Sequence, residues 1–171
     1  MRKYKRSDGR AHLPSGRDAR PSAEETHGAW RHSAGRREYQ ARRRRYRHMT
    51  DLTPAQIDYL TSQRLGRLAT AGANGRPHVV PTSYRYNPDT GTIDLGGHHV
   101  ATTKKYRDVQ ANGWAAFVVD DLPSIDPWTP RMLEIRGRAE TVATGGRGLG
   151  PGFGEAFIRL YPLRINSFGI E

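Results

Sequence analysis

The chain has 171 residues, no cysteine and a net charge of +11. The lack of cysteine excludes disulfide scaffolds, thiolate metal sites and cysteine nucleophiles. No apolar run approaches the roughly 18 residues that a membrane helix requires, so we expect a soluble cytoplasmic protein.

The positive charge is concentrated in the first 48 residues. They carry 15 basic and 5 acidic side chains, whereas residues 49–171 carry 13 and 12. Residues 1–48 contain one leucine and no isoleucine, valine or phenylalanine. Such a segment cannot bury enough apolar surface to offset its ordering entropy. We therefore predict a disordered basic extension over 1–48 and one folded domain over 49–171.

Three interpretations of the basic extension stay open. The natural protein starts at Met49, or the extension is a solvated tail, or Arg42–Arg47 binds a polyanion such as nucleic acid. We favour a start at Met49 and place nucleic-acid binding third, because charge runs are usually solvated.

The first half of the folded part reads as one helix followed by three strands. Thr53-Pro54-Ala55-Gln56 is a capping box with proline at the first helical position, and the helix is expected to end near Gly66. Asn74-Gly75 supplies the positive φ of a hairpin turn, and residues 87–91 form another turn. The predicted strands are Gly66–Thr70, Pro77–Tyr86 and Thr92–Gly96.

The second half begins where Gly96-Gly97 breaks the third strand. A helix is predicted over Val100–Ala111. Further strands are predicted over Trp114–Asp120, Arg131–Val142, Phe157–Tyr161 and Ile165–Phe168. Six or seven short strands with two short helices favour a mainly β fold, an antiparallel barrel, because closure removes unpaired strand edges.

The segment from Leu95 to Lys105 is the strongest candidate for a binding site. A helix that starts after two glycines presents free N–H groups, which suit a phosphate. The hydroxyl of Thr103 can bond a phosphate oxygen and Lys105 can neutralise it. The alternative, equally supported, is that Thr102 only caps the helix and the lysines face solvent.

Other patterns carry no chemistry. Gly146-Arg147-Gly148-Leu149-Gly150 is not a dinucleotide fingerprint, because its spacing and context are wrong, and we expect a mobile loop. His98 and His99 are adjacent and cannot share a metal on an extended backbone, so no metal site is predicted. No catalytic residue stands out either. A phosphate-binding site without a nucleophile suits a cofactor that does its own chemistry.

An ordered set of segments carries a resemblance that spans about Leu52 to Glu171. The segments are Leu65–Thr70, Asn74–Pro81, Thr103–Asp108, Ala116–Asp121, Glu134–Glu140 and Ser167–Ile170. Together they resemble the pyridoxamine 5′-phosphate oxidase-like, deazaflavin (coenzyme F-420)-dependent oxidoreductases of actinobacteria.

The resemblance implies a split β-barrel homodimer that binds its cofactor at the subunit interface and transfers a hydride to a small organic acceptor. It places Val80, Pro81 and Thr82 along the tricyclic ring. It places Gly97, Thr103 and Lys105 at the phosphate, with Lys104 adding positive charge. FMN is the alternative cofactor to F-420. The remaining alternative function is a non-enzymatic cofactor- or haem-binding protein, because one fold hosts many functions.

Overall fold

The computed structural model describes Arg44, Tyr46 and residues 49–171. The rest of the basic extension, including most of the Arg42–Arg47 run, lies outside the described residues. In the part that is described, no helix is both long enough and apolar enough to cross a membrane.

Six antiparallel strands close into a barrel in the order β1-β2-β3-β6-β5-β4, with β4 paired to β1. Within residues 49–171, two α-helices accompany them. The bounds are α1 Pro54–Ser62, β1 Gly66–Ala71, β2 Pro77–Asn87, β3 Thr92–Gly96, α2 Lys104–Asn112, β4 Trp114–Asp121, β5 Arg131–Val142 and β6 Phe157–Phe168. This architecture confirms the predicted mainly β antiparallel barrel with short helices.

Helix α1 begins with the predicted capping box. The Thr53 hydroxyl accepts a hydrogen bond from the backbone N–H of Gln56, and the Gln56 side chain accepts one from the N–H of Thr53. These bonds satisfy two N–H groups that a helix start leaves unpaired. Tyr59 and Leu60 on this helix are buried, so α1 contributes its apolar side to the core.

The core fills the interior of the barrel. Leu68, Phe117 and Ile135 occupy neighbouring register positions on β1, β4 and β5, and all three are fully buried. Burying each such side chain contributes about 1.5–3 kcal/mol. Alternate residues of these strands point inward, as the period of two predicts.

The end of the chain differs from the prediction. The two strands expected on either side of Pro162 are one continuous strand, β6. The register against β5 shifts between Arg136 and Gly137, where Gly137 lies opposite Pro162. A proline cannot donate to a strand ladder, but an irregularity of this kind accommodates it.

The second helix also starts later than predicted. Val100–Thr102 form a 3-10 turn, and α2 follows from Lys104 to Asn112. Gly113, with φ of 71°, ends the helix in the left-handed conformation, which glycine adopts without strain. Helix α2 packs against β1 and β5, and this packing fixes the position of the candidate site.

Candidate functional site

The barrel has an unpaired strand edge where β3 ends early. The last residue of β3, Gly96, pairs with Ser83 of β2, whereas residues 77–82 of β2 pair only with β1 among the described residues. We call this unpaired edge of β2, residues 77–82, the seam. Pro77 and Pro81 lie in it, which fits the tolerance of strands for proline only where an N–H need not be donated.

The three residues predicted to lie along a cofactor ring are all on the seam. Val80 is half-buried, Pro81 is exposed and Thr82 is buried. The Thr82 hydroxyl donates to the carbonyl of Gly96 at 3.1 Å, which ties the seam to the end of β3. The structure therefore brings these three residues next to the point where the chain leaves the sheet.

Two other predicted residues, Gly97 and Thr103, bracket the turn into α2. A Cβ added at Gly97 would meet no atom within 4 Å, so the backbone there is open to a ligand. Thr103 is the N-cap residue of α2, but its side chain caps no N–H group. Its hydroxyl instead donates to the carbonyl of Val100 at 2.6 Å, and would have to rotate to donate to a phosphate.

The adjacent lysines Lys104 and Lys105 have different surroundings. The Lys104 ammonium donates to both carboxylate oxygens of Asp108 at 2.7 Å. Lys105 is partly buried and has no hydrogen bond or ion pair within the described part of the chain. Burial lowers the pKa of Lys105, because nothing nearby compensates the loss of water around its charge. A bound anion would supply that compensation.

Asp108 is a buried residue of this region that sequence reasoning did not single out. It accepts a hydrogen bond from the Thr70 hydroxyl of β1 at 2.9 Å in addition to those from Lys104. Burial raises the pKa of Asp108, but the hydrogen bonds from Lys104 and Thr70 outweigh it and leave the pKa below its ordinary value. The spacing of Lys104 and Asp108 favours an ion pair on a helix, yet only tertiary packing shows that the Asp108 carboxylate is buried.

His78 of β2 lies beside the same carboxylate. Its Nδ1 is 3.8 Å from Asp108 Oδ2, and this buried nitrogen makes no hydrogen bond in the described region. Asp108 therefore joins α2 to both strands of the β1–β2 hairpin and holds the start of the helix beside the seam.

The outer surface of the barrel next to the seam is apolar. Val79, Ala69 and Ala116 are register neighbours across β2, β1 and β4, and Val79 is 60% exposed. Trp114, on the same face of β4 as Ala116, is 51% exposed. A barrel face in contact with water normally carries polar side chains, so this exposed apolar patch is unusual for such a face.

A metal centre is not formed by the residues that the structure describes. No group of three histidine, aspartate or glutamate side chains is positioned there to hold an ion. His98 and His99 lie outside β3, with ring centroids 6.4 Å apart. The described residues thus bring the unpaired edge of β2, the open backbone at Gly97 and the partly buried Lys105 to one side of the barrel.

Comparison with known proteins gives two consistent sequence matches. The profile of the family described as pyridoxamine 5′-phosphate oxidase matches residues 52–148. The 5a,11a-dehydrotetracycline/5a,11a-dehydrooxytetracycline reductase of Streptomyces rimosus subsp. rimosus is 44% identical over 119 residues, which cover 70% of this chain and 84% of the relative.

Solved structures share the fold at lower identity. A conserved hypothetical protein of Mycobacterium tuberculosis superposes with a TM-score of 0.54 at 23% identity, covering 71% of this chain and 86% of that one. An FAD-binding protein of Mycobacterium smegmatis gives 0.53 at 21% identity, covering 70% and 96%. At these identities the likeness establishes the fold only.

Proposed function

We propose a function from the premise that the chain belongs to the pyridoxamine 5′-phosphate oxidase family. In this proposal the protein is an oxidoreductase that transfers a hydride between a deazaflavin cofactor, F-420, and a small organic acceptor. The observation that carries this proposal is the partly buried Lys105, an ammonium without an acidic partner in the described part of the chain, at the start of α2.

The residues present fit a phosphorylated tricyclic cofactor. On the side of β2 away from β1, the backbone of Val80, Pro81 and Thr82 pairs with no strand among the described residues and offers polar groups to the rim of a ring. The uncapped first turn of α2 and Lys105 offer a phosphate N–H groups and a positive charge. Gly97 leaves the backbone accessible, and Lys104 fixes Asp108 while adding to the local positive potential.

The protein contributes position rather than reacting groups. When bound, the reduced cofactor supplies a hydride, that is, two electrons and one proton, and a proton from solvent completes the reduction of the acceptor. The seam and α2 orient the ring, and the barrel wall excludes water from one of its faces. No side chain is assigned as a proton donor.

The relative from Streptomyces rimosus supports reduction as the reaction, since it is a reductase and shares 44% of its aligned residues with this chain. FMN is the alternative cofactor, because Lys105 and the helix start would accept its phosphate equally well. The exposed Arg107 beside this site favours F-420, whose acidic tail gains from additional positive charge.

The active form in this proposal is a homodimer that covers the apolar face around Val79 and Ala69. A Val79→Glu substitution would place a charge in that interface and should shift the protein to a monomer in light scattering at micromolar concentration. Val79→Ala removes only a small part of the apolar surface and should leave the dimer intact. If the wild-type protein is monomeric, the homodimer is wrong.

The function is tested by parallel titration of the purified protein with FMN and F-420, followed by turnover. We expect F-420 to bind at least tenfold more tightly, and reduced F-420 to be oxidised when acceptors with a conjugated carbonyl group are added. Tighter binding of FMN would assign the alternative cofactor. Binding of haem without turnover of any acceptor would contradict an enzymatic role.

A further inference from the structure

We infer that the acceptor binds in a groove between α1, β2 and the loop that joins β5 to β6, and that it is a planar conjugated compound with an anionic oxygen, such as an enolate or a carboxylate. This inference rests on the proposed function. It assigns a second site, adjacent to the cofactor seat, that neither the resemblance nor the comparisons identify.

The groove has a volume of about 480 Å³, which lies within the range of small-molecule sites. Its lining includes Leu60 of α1 and Arg64 after it, Ser83 and Arg85 of β2, and Pro151 and Phe153 of the loop between β5 and β6. It thus combines apolar side chains with two guanidinium groups.

The charge in the groove is unbalanced. Among the described residues, no aspartate or glutamate lines it, and Arg64 has no hydrogen bond or ion pair. The Arg85 guanidinium donates to the carbonyl of Tyr84 at 2.9 Å and lies 5.6 Å from the centroid of the Phe153 ring.

Other arginines of the barrel are neutralised: Arg67, Arg131 and Arg159 each pair with an aspartate. Arg64 and Arg85 have no such partner in the described part of the chain, which leaves the groove with excess positive charge. A guanidinium has a planar fork of donors that matches a carboxylate or enolate, and it also stacks on aromatic rings. A planar anionic molecule can accept the hydrogen bonds of a guanidinium and can also stack on it.

The groove opens next to the predicted ring position. Ser83 follows Thr82 directly and pairs with Gly96, and neighbouring residues of a strand are about 3.3 Å apart along its axis. Phe153 lies against the end of β3, since a Cβ at Gly96 would fall 2.8 Å from its ring. A ligand in the groove therefore reaches a ring that lies along Val80–Thr82.

Positive charge at this place also suits the reaction. As the hydride forms a C–H bond at the terminal carbon of a conjugated C=C–C=O group, the π electrons move to the carbonyl oxygen, and a proton from solvent then reaches the adjacent carbon. Arg64 and Arg85 stabilise the negative charge on that oxygen.

Binding is tested first without cofactor, with two fluorescent probes of the same shape. One is the anionic 8-anilinonaphthalene-1-sulfonate, and the other is the neutral N-phenyl-1-naphthylamine. Arg64→Gln and Arg85→Gln should each raise the Kd of the anionic probe at least tenfold. The Kd of the neutral probe should change less than twofold. Arg164→Gln, on the exposed part of β6, is the control and should change neither. Equal effects on both probes would overturn the inference.

Turnover then separates this inference from the proposed function. With F-420, Arg64→Gln and Arg85→Gln should each raise KM for an anionic acceptor at least tenfold. KM for a neutral acceptor and the Kd of F-420 should each stay within twofold of the wild-type value. Arg85→Lys should recover part of the lost affinity for the anionic acceptor. If no acceptor is reduced by the wild-type protein, the proposed function fails while the probe titration still decides the groove. If the variants weaken F-420 instead, the groove holds the cofactor and the inference is wrong.

Discussion

Replacing Lys105 by alanine tests whether the start of α2 binds the cofactor phosphate, and the structure sets the size of the expected change in Kd. Its ammonium has no acidic partner in the described part of the chain, so its removal leaves no buried carboxylate uncompensated. The lost interaction with the cofactor phosphate is then a charge-assisted hydrogen bond, worth about 1.5–3 kcal/mol. This corresponds to a 10- to 150-fold increase in Kd.

The assay is a fluorescence titration with F-420 at one fixed salt concentration, together with a thermal melt. Lys105→Ala should weaken binding without lowering Tm, because burial already disfavours the charged form in the free protein. Lys104→Ala is the matched control. It removes a partner of the buried Asp108 and should lower stability by about 1 kcal/mol, the modest figure reflecting the half-exposed lysine, with a smaller effect on Kd. Equal losses of affinity in the two variants, or an unchanged Kd in Lys105→Ala, would refute the reasoning.

The lowered pKa of Lys105 adds a pH dependence to the same titration. Binding of a phosphate needs the protonated lysine, so affinity should fall as pH rises through a pKa below the ordinary value of about 10.4. Lys105→Arg should keep its affinity to higher pH, because a guanidinium does not deprotonate in this range. Parallel pH profiles of the two proteins would contradict this assignment.

Two further predictions concern stability. Asp108→Asn should lower the free energy of unfolding, measured by urea denaturation at pH 7, by about 1–3 kcal/mol. Since the folded-state pKa of Asp108 is below the unfolded value of about 3.9, the difference from the wild type should shrink as pH falls through the folded-state pKa. A difference that stays constant with pH would contradict the role of the carboxylate. Gly137→Ala should cost about 3 kcal/mol or more, since its Cβ would lie 1.8 Å from the carbonyl oxygen of Tyr161. Gly97→Ala is the control, because that position is open, and equal melting temperatures for the two variants would refute the packing argument.

The strands and the first helix were predictable because their signals are local. The Thr53–Gln56 capping box, the Asn74-Gly75 turn and the alternation over Arg131–Val142 each specify an element from neighbouring residues alone, and the structure has all three. The break at Pro162 was wrong because a proline is acceptable in a strand only when the partner strand shifts register there. That shift depends on Gly137, which lies 25 residues away in the sequence.

The candidate site was predictable in part for the same reason. The turn after β3 and the start of α2 follow from adjacent glycines, threonines and lysines. The different surroundings of Lys104 and Lys105 do not, because they depend on the contact between Asp108 of α2 and Thr70 of β1. The groove was missed for a related reason, since Arg64 and Phe153 line the same groove only in the folded barrel.

The early end of β3 has a consequence for how the protein behaves outside its reaction. A strand with free N–H and C=O groups can template the addition of a strand from another molecule. Pro77 and Pro81 remove two donors from that part of β2, which makes it a poor template. Pro77 and Pro81 thus disfavour pairing of this edge with a strand of another molecule, at the place where the proposed cofactor ring would lie. Substitutions made there to alter ligand preference should be chosen to retain both prolines.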